Sequence, residues 1–285
     1  MNRIVLHIGT HKTGTTSFQR WFRDNADAID AVCGATLYEG RARDARELGA
    51  ICIDEGRDSP GLRRRVEREN HEFPGTLTLP GTQAREQMIA EVHENIRQQI
   101  QKTRDTFVVS SESLSLLRSK SEIDRLAAMF PAGETTVVVC LRRPEDFLRS
   151  WSKHLDRDFF EVSDDPTSFA YVKPDSWLVD YDDLLSAYTN VYGKESIVVI
   201  DYDTAMAEHG STIPKIAEVF CSNPTALPSW NSYVLNTGEK SPRKPIRGIS
   251  KPRHYRRYYI WLVGQWGRNF GHAFSKHVLR RGRNT

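Results

Sequence analysis

The sequence has few cysteines, and none stands in a pattern typical of a metal site. Its four cysteines, Cys33, Cys52, Cys140 and Cys221, are scattered, without a CxxC pair and without histidines at ligand spacing. Structural zinc sites need such clusters, and small secreted domains need many paired cysteines. We therefore expect no metal site, no disulfide framework and a reducing compartment.

Long hydrophobic runs and a secretory leader are also lacking. The apolar stretch at 258–264 is far shorter than the roughly 20 residues that span a bilayer. Met1 leads directly into a predicted strand, with no basic n-region and no small-residue cleavage site. These features predict a cytoplasmic protein.

Acidic residues are almost absent from the end of the chain. Residues 238–285 contain 13 Lys and Arg against one acid, Glu239, and so carry +12. Because the whole chain carries +3, residues 1–237 carry −9. Aromatic side chains are interleaved with the basic ones at 255–281. Such a segment suits a helix packed on the same domain, a contact with anionic lipid at the inner face of the membrane, or an anionic polysaccharide. No nucleic-acid motif is present, and we expect no nucleic acid as partner.

The remaining chain has the pattern of one large α/β domain, residues 1–237. Short apolar runs without polar alternation predict buried parallel strands, and helical patterns separate them. The predicted strands are 4–8, 106–112, 134–141 and 196–201. The predicted helices are 15–25, 83–104, 121–130, 145–155, 177–192 and 213–220. Residues 31–80 predict only unspecified helical pieces and loops, and residues 156–175 are polar and irregular.

A glycine-punctuated loop joins the first strand to the first helix, and it has the composition of an anion site. Free backbone N–H groups and the positive end of a helix dipole meet there, which favours phosphate or sulfate. Gly9 and Gly14 have the spacing of a Walker A motif, but Thr15 stands where that motif has its lysine, and Lys12 lies inside the loop. A kinase or NTPase with a divergent loop is therefore the weaker interpretation. With the parallel sheet, the loop predicts a three-layer, P-loop-like fold with helices flanking the sheet.

Two further predicted strands end in groups that could join this loop. One ends in Ser110-Ser111-Glu112, and the other runs into Arg142-Arg143-Pro144, with Ser150 on the following helix. Parallel strands end at the same edge of a sheet, where ligands bind, so these groups should converge. Alternatively, Arg142 pairs with a neighbouring carboxylate and Ser150 faces solvent.

These three regions together resemble the sulfotransferases that use 3′-phosphoadenosine 5′-phosphosulfate (PAPS). In that family a lysine precedes Gly-Thr-Thr by two residues, as Lys12 does here, and a strand-end arginine precedes a serine by eight, as Arg142 precedes Ser150. The resemblance implies that the loop binds the phosphosulfate and that Arg142 and Ser150 bind the 3′-phosphate. The implied loop contacts are His11, Lys12, Thr13, Gly14, Thr15, Thr16 and Ser17. Lys240 and Arg243 are candidates to close the nucleotide site.

Glu112 is the candidate general base, since an acceptor hydroxyl must lose its proton as it attacks sulfur. The segment resembles the glutamate-using branch among carbohydrate sulfotransferases. The implied reaction moves a sulfuryl group from PAPS to a hydroxyl of a carbohydrate or glycolipid, with Lys12 stabilising the leaving phosphate, PAP as product and no metal. His11 and His154 are rival bases, and Glu112 could instead cap a turn or hold Lys12 or Arg142. A non-catalytic protein that binds anions or membranes is a further alternative.

Overall fold

Five parallel strands form the central sheet of the protein, whose computed structural model describes residues 3–40, 43–54, 57, 83–157 and 160–233. The strands lie in the order β2-β3-β1-β4-β5, and each neighbouring pair is parallel. The predicted parallel sheet is confirmed. Its strands are β1 Arg3–His7, β2 Ala35–Leu37, β3 Thr106–Ser110, β4 Thr135–Leu141 and β5 Ile197–Asp201.

Helices connect the strands, and the six predicted ones are present. Among the described residues, the helices are α1 Thr15–Asp24, α2 Ala26–Cys33, α3 Arg46–Cys52, α4 Gln83–Lys102, α5 Lys120–Met129, α6 Pro144–Arg157, α7 Tyr181–Tyr192, α8 Tyr202–His209 and α9 Ile213–Phe220. None of these is both long and apolar enough to cross a membrane.

The side chains of each strand alternate between two buried layers, because successive residues of a strand point to opposite faces. In β4, Val137 and Val139 enter one apolar cluster, while Val138 and Cys140 enter the other. The first cluster contains side chains of α3, α4, α5, α6 and α7, and the second contains those of α1, α2, α8 and α9. The domain is therefore a three-layer α/β structure, as predicted.

Several boundaries have local chemical causes. Gly14 precedes α1 with a left-handed φ of 90°, which favours glycine. Before α5, Ser119 and Glu122 form a reciprocal capping box. The predicted helix at 177–192 is wrong at its start: Trp177–Val179 is a separate 3₁₀ turn, and Asp180 caps α7 by accepting from Asp183 N at 3.1 Å.

The sequence patterns missed four elements, and one of them is α8, Tyr202–His209, which no predicted helix covers. Strand β2 pairs with β3 at one edge of the sheet, but its three residues are too few to show a period. Helix α2 begins before residue 31 and ends at Cys33. Helix α3 lies within 31–80, where only unspecified helical pieces were expected. The described part of 156–175 contains no helix beyond the end of α6 and no strand. The boundary at 237 and the segment 238–285 lie outside the described residues.

Candidate active site

The three predicted clusters follow three neighbouring strands. β1 lies between β3 and β4, so the loop after β1 is flanked by the residues that follow the other two. The backbone ties them together: Ser111 N donates to His7 O at 3.0 Å, and Thr10 N donates to Cys140 O at 3.4 Å. The carboxyl edge of the sheet thus brings the loop, Glu112 and Arg142 to one rim.

The loop between β1 and α1 contains two left-handed residues. Lys12 has φ 66° and Gly14 has φ 90°. A lysine rarely adopts this region, which costs an L-residue about 1–2 kcal/mol. Thr13, between them, is not left-handed. Where left-handed and right-handed residues alternate, neighbouring N–H groups turn toward one concavity, and such concavities bind anions. The observed strain at Lys12 supports a functional role for this turn.

Threonine hydroxyls hold the carbonyl groups of this rim. Thr10 Oγ1 donates to Cys140 O at 2.9 Å, Thr13 Oγ1 to Thr10 O at 2.5 Å, and Thr212 Oγ1 to Thr13 O at 3.2 Å. Each carbonyl held in this way already has a donor. The carbonyl groups of Thr10 and Thr13 are therefore engaged by hydroxyl donors within the protein.

Thr15 supplies a hydroxyl that has no partner within the described structure. Its side chain is 3% exposed, and its Oγ1 makes no hydrogen bond. A Cβ placed at Gly9 would lie only 3.1 Å from this oxygen and 2.7 Å from His7 Nε2, so a side chain there would fill the cradle. Buried polar atoms without partners are rare, and a bound anion would supply the missing one. Thr16 is exposed beside it, and Ser17 is buried.

Below the loop lies a buried polar floor. His7 Nδ1 is 2.9 Å from Ser110 Oγ, and His7 Nε2 is 3.6 Å from Cys140 Sγ. Burial lowers the pKa of His7 to about 3 and raises the pKa of the Cys140 thiol to about 12. The imidazole is therefore neutral at pH 7, and the thiol is protonated. These groups support the loop and do not act as charged ligands.

Arg142 makes no ion pair with any described residue. Its Nε is buried without a hydrogen-bond partner, and its guanidinium carbon lies 5.0 Å from the centre of the Tyr202 ring. Burial raises the pKa of Tyr202, and Arg142 opposes this shift. Tyr181 fixes the backbone by donating to Arg142 O at 2.8 Å. An arginine that lies over an aromatic ring and has a buried donor without a partner suits a phosphate group.

Arg143, and not Arg142, pairs with neighbouring carboxylates, which was the alternative interpretation of Arg142. Arg143 pairs with Asp146 at 2.7 Å and with Asp203 at 3.0 Å. Asp146 also pairs with Arg149 at 3.1 Å. Ser150 is half-buried on α6, in the second turn from the helix start at Pro144. Ser150 therefore lies on the helix that begins two residues after Arg142.

Glu112 lies next to His11 of the loop. Their closest side-chain atoms, Glu112 Oε1 and His11 Nε2, are 3.7 Å apart, and the side chains are 27% and 13% exposed. Glu112 is the first residue of a 3₁₀ turn that ends at Leu116. Because Glu112 is the more exposed member of the pair, its carboxylate is the better placed of the two to meet a substrate.

An indole ring supports this pair. Trp151 packs edge-on against His11 at a centroid distance of 4.7 Å, and its ring is tilted against that of His154 at 4.9 Å. Its Nε1 donates to Phe169 O at 2.8 Å. Trp151 therefore joins α6, the loop and the segment after α6. Sequence reasoning missed Trp151, although its position directly after Ser150 was a usable signal.

Two other supporting residues gave no sequence signal at all. Tyr202 and Thr212 lie more than fifty residues beyond the last predicted contact within the domain, Ser150, and only the fold brings them to Arg142 and Thr13. Lys240 and Arg243, the candidates to close the site, lie outside the described residues. No group of three His, Cys, Asp or Glu side chains within the described ranges could hold a metal ion.

Comparison with known proteins gives likenesses to solved structures alone. No family model matches the chain, and no curated protein matches it. Among solved structures, the chain is similar to a sulfotransferase from Alicyclobacillus acidocaldarius, with 13% identity, a TM-score of 0.49 and coverage of 95% of both chains. The proposed function therefore rests on the geometry of the rim.

Proposed function

We propose that the protein is a PAPS-dependent sulfotransferase. The observation that carries the proposal is the pairing of two anion sites on neighbouring strand ends. One is the strained loop with the unpartnered Thr15 hydroxyl, and the other is Arg142, which makes no ion pair with described residues. A nucleotide with anionic groups at both its 5′ and 3′ positions would occupy both. PAPS is such a nucleotide, and the residues of the rim fit it.

The loop and Arg142 would hold the donor at its two ends. PAPS supplies an electrophilic sulfur and a phosphate leaving group. Lys12, inside the loop, would stabilise the negative charge that develops on that phosphate, together with the N–H groups of the α1 terminus. Arg142 and Ser150 would bind the 3′-phosphate through charge-assisted hydrogen bonds.

Glu112 would accept the proton of the acceptor hydroxyl. Its Oε1 lies 3.7 Å from His11 Nε2, and its other oxygen would meet the acceptor. His11 would act as a positioning residue, itself fixed edge-on against Trp151. General-base catalysis of this kind contributes about 10²–10⁴-fold to a rate. The proposed acceptor is a carbohydrate or glycolipid hydroxyl, on the resemblance of the Glu112 segment to the glutamate-using carbohydrate sulfotransferases.

The rival function is a kinase or NTPase that uses ATP and Mg²⁺. Thr15 occupies the position of the Walker lysine, and the lysine of this chain, Lys12, lies within the loop. The carboxylate at the end of β5, Asp201, is occupied as a helix cap, since it accepts from Thr204 N at 2.6 Å. β5 is also separated from β1 by β4. These features favour a donor that needs no metal.

Calorimetric titration with three nucleotides tests the proposal. PAP, the product of PAPS, should bind more tightly than adenosine 5′-phosphate, because only PAP carries the 3′-phosphate that Arg142 would hold. Arg142→Ala should lower the preference for PAP by about 10–100-fold, the cost of one or two charge-assisted hydrogen bonds. Tight binding of ATP–Mg²⁺ without any response to PAP would contradict the proposal.

Arg143 provides the matched control. It stands next to Arg142 in the chain but is committed to Asp146 and Asp203. Arg143→Ala should therefore keep the preference for PAP over adenosine 5′-phosphate, even if the protein becomes less stable. An equal loss of preference in both variants would point to a general electrostatic effect and not to a 3′-phosphate site.

A further inference from the structure

Thr212 stands at the start of α9 but does not cap that helix. It occupies the N-cap position, is 2% exposed, and makes no side-chain hydrogen bond to the helix. Its hydroxyl instead donates to Thr13 O, at a distance of 3.2 Å. The two residues are 199 positions apart in the chain. The hydroxyl is therefore used between elements and not within its own helix.

This use forgoes a stabilising interaction. A threonine that caps a helix accepts a hydrogen bond from an N–H of the first turn, and losing such a cap usually destabilises a helix. Here the preceding Ser211 accepts from Ile213 N at 3.2 Å, and Pro214 has no N–H to satisfy. The start of α9 is thus stabilised by other residues, which leaves the Thr212 hydroxyl for the loop.

The bond to Thr13 O sets the direction of the next N–H group. In a trans peptide the C=O and N–H groups point in opposite directions, and the described chain has no cis peptide. When Thr212 holds the Thr13 carbonyl toward α9, the Gly14 N–H must point away from α9. Gly14 directly precedes α1, so its N–H is the first of the donors at that helix start.

We infer that Thr212 is a positioning residue that aims the Gly14 N–H at the anion bound by the loop. The fit is close on both sides. A Cβ at Gly14 would lie 2.9 Å from Thr212 Oγ1, so the short distance requires a glycine opposite the threonine. The left-handed φ of Gly14 favours the same residue. Thr212 thereby couples the α8–α9 junction to the phosphate-binding loop.

The inference rests on the proposed function only for the choice of ligand, and two substitutions test it. Thr212→Val keeps the shape of the side chain and removes the hydroxyl, whereas Thr212→Ser keeps the hydroxyl. Calorimetry should show PAP binding weakened about tenfold in Thr212→Val and by less than threefold in Thr212→Ser, as expected for one hydrogen bond to a charged group.

A second ligand separates positioning from a general loss of structure. Adenosine 3′-phosphate lacks the 5′-phosphate that the loop would hold, so its affinity should be the same in wild type and Thr212→Val. Equal PAP affinity in wild type and Thr212→Val would overturn the inference. Equal weakening of both ligands, or a loss that Thr212→Ser does not rescue, would overturn it as well. If Thr212→Val does not fold, Thr212→Ala takes its place in the same comparison.

Failure of the proposed function gives a different result. If wild type does not bind PAP, the donor assignment is wrong, and the variants are compared by thermal stabilisation in inorganic sulfate. Stabilisation of wild type and Thr212→Ser, but not of Thr212→Val, would still support the role of Thr212. Equal stabilisation of all three, or none of wild type, would overturn it.

Discussion

Among single residues, His7 has the most strongly shifted acid–base equilibrium below the loop. It is fully buried in β1, with Ser110 and Cys140 as its polar neighbours, and burial lowers its pKa to about 3 from an ordinary 6.5. A neutral imidazole at this point keeps the floor of the cradle uncharged. The positive charge that would meet an anion is then supplied by Lys12 and Arg142.

This histidine should make the folded state sensitive to acid. Because its pKa is lower in the folded than in the unfolded state, its contribution is complete above about pH 6.5 and is lost as the pH falls toward 3. Between pH 7 and pH 5 the free energy of unfolding should fall by about 2 kcal/mol from this group, at 1.36 kcal/mol per pKa unit. Urea denaturation of wild type and His7→Asn at pH 7 and pH 5 measures this fall in the free energy of unfolding. A variant with the same pH slope as wild type would disprove this account.

Glu112 and His154 can be separated as candidate bases by substitution. Glu112→Gln should lower kcat about 100-fold or more, since the amide cannot accept the proton, and should leave PAP affinity within about twofold. His154→Gln is the matched control, because His154 packs against the Trp151 ring at 4.9 Å, and the kcat of this variant should stay within about threefold of wild type. The measurement is sulfate transfer from labelled PAPS to a panel of sugars and simple alcohols. The reverse ranking would assign the base to His154.

Among helices and strands, long elements could be predicted from the spacing of their apolar residues, and short ones could not. α4 spans Gln83–Lys102, and its buried Met88, Val92 and Ile96 repeat at helical spacing, so it was predicted nearly to its ends. β2 has three residues and no readable period. The break at Asp180 depends on a capping bond that a helical pattern does not contain.

The start of α5 carries a buried carboxylate that binds several elements together. Glu122 is fully buried and accepts from the backbone N–H groups of Asp54 at 2.8 Å, Arg118 at 2.6 Å and Ser119 at 3.1 Å. It also pairs with Arg57 at 3.1 Å. The Glu122 side chain thus caps the start of α5 and fixes the chain just after α3. Helix α3 packs against the 3₁₀ turn Glu112–Leu116.

Removing this carboxylate should be costly. Glu122→Ala leaves several buried donors unpaired and should lower the free energy of unfolding by about 3–5 kcal/mol, measured by chemical denaturation. Glu94→Ala on α4 is the control, since that carboxylate is exposed and pairs only within its own helix turn with Arg97 and Gln98. The control should unfold at the wild-type midpoint. A similar loss in both variants would contradict the assigned role of Glu122.

For the whole molecule, the uneven distribution of charge leads to a proposal about partners. Residues 238–285 carry +12 with interleaved aromatics, whereas residues 1–237 carry −9. We propose that the basic segment contacts anionic surfaces, including the inner face of a membrane. Each Lys or Arg near such a surface contributes about 1 kcal/mol, and salt screens it.

Vesicle sedimentation of the full chain tests this proposal. The protein should bind vesicles that contain 30% phosphatidylglycerol in low salt, and 0.5 M NaCl should release it. Replacing Arg256, Arg257, Arg280 and Arg281 with Gln should abolish binding while PAP affinity is kept. Equal binding to neutral phosphatidylcholine vesicles would exclude an electrostatic contact.

The sequence by itself determined the parallel α/β class, most of the long helices and the chemistry of the loop, because these depend on local periodicity and on residues that are neighbours in the chain. It also indicated that Lys12, Glu112 and Arg142 share one rim, since parallel strands end at one edge. Only the tertiary structure decided that Arg143 and not Arg142 takes the carboxylates, and that Thr212 holds Thr13. Those choices depend on side-chain contacts across large sequence separations, which no local pattern records.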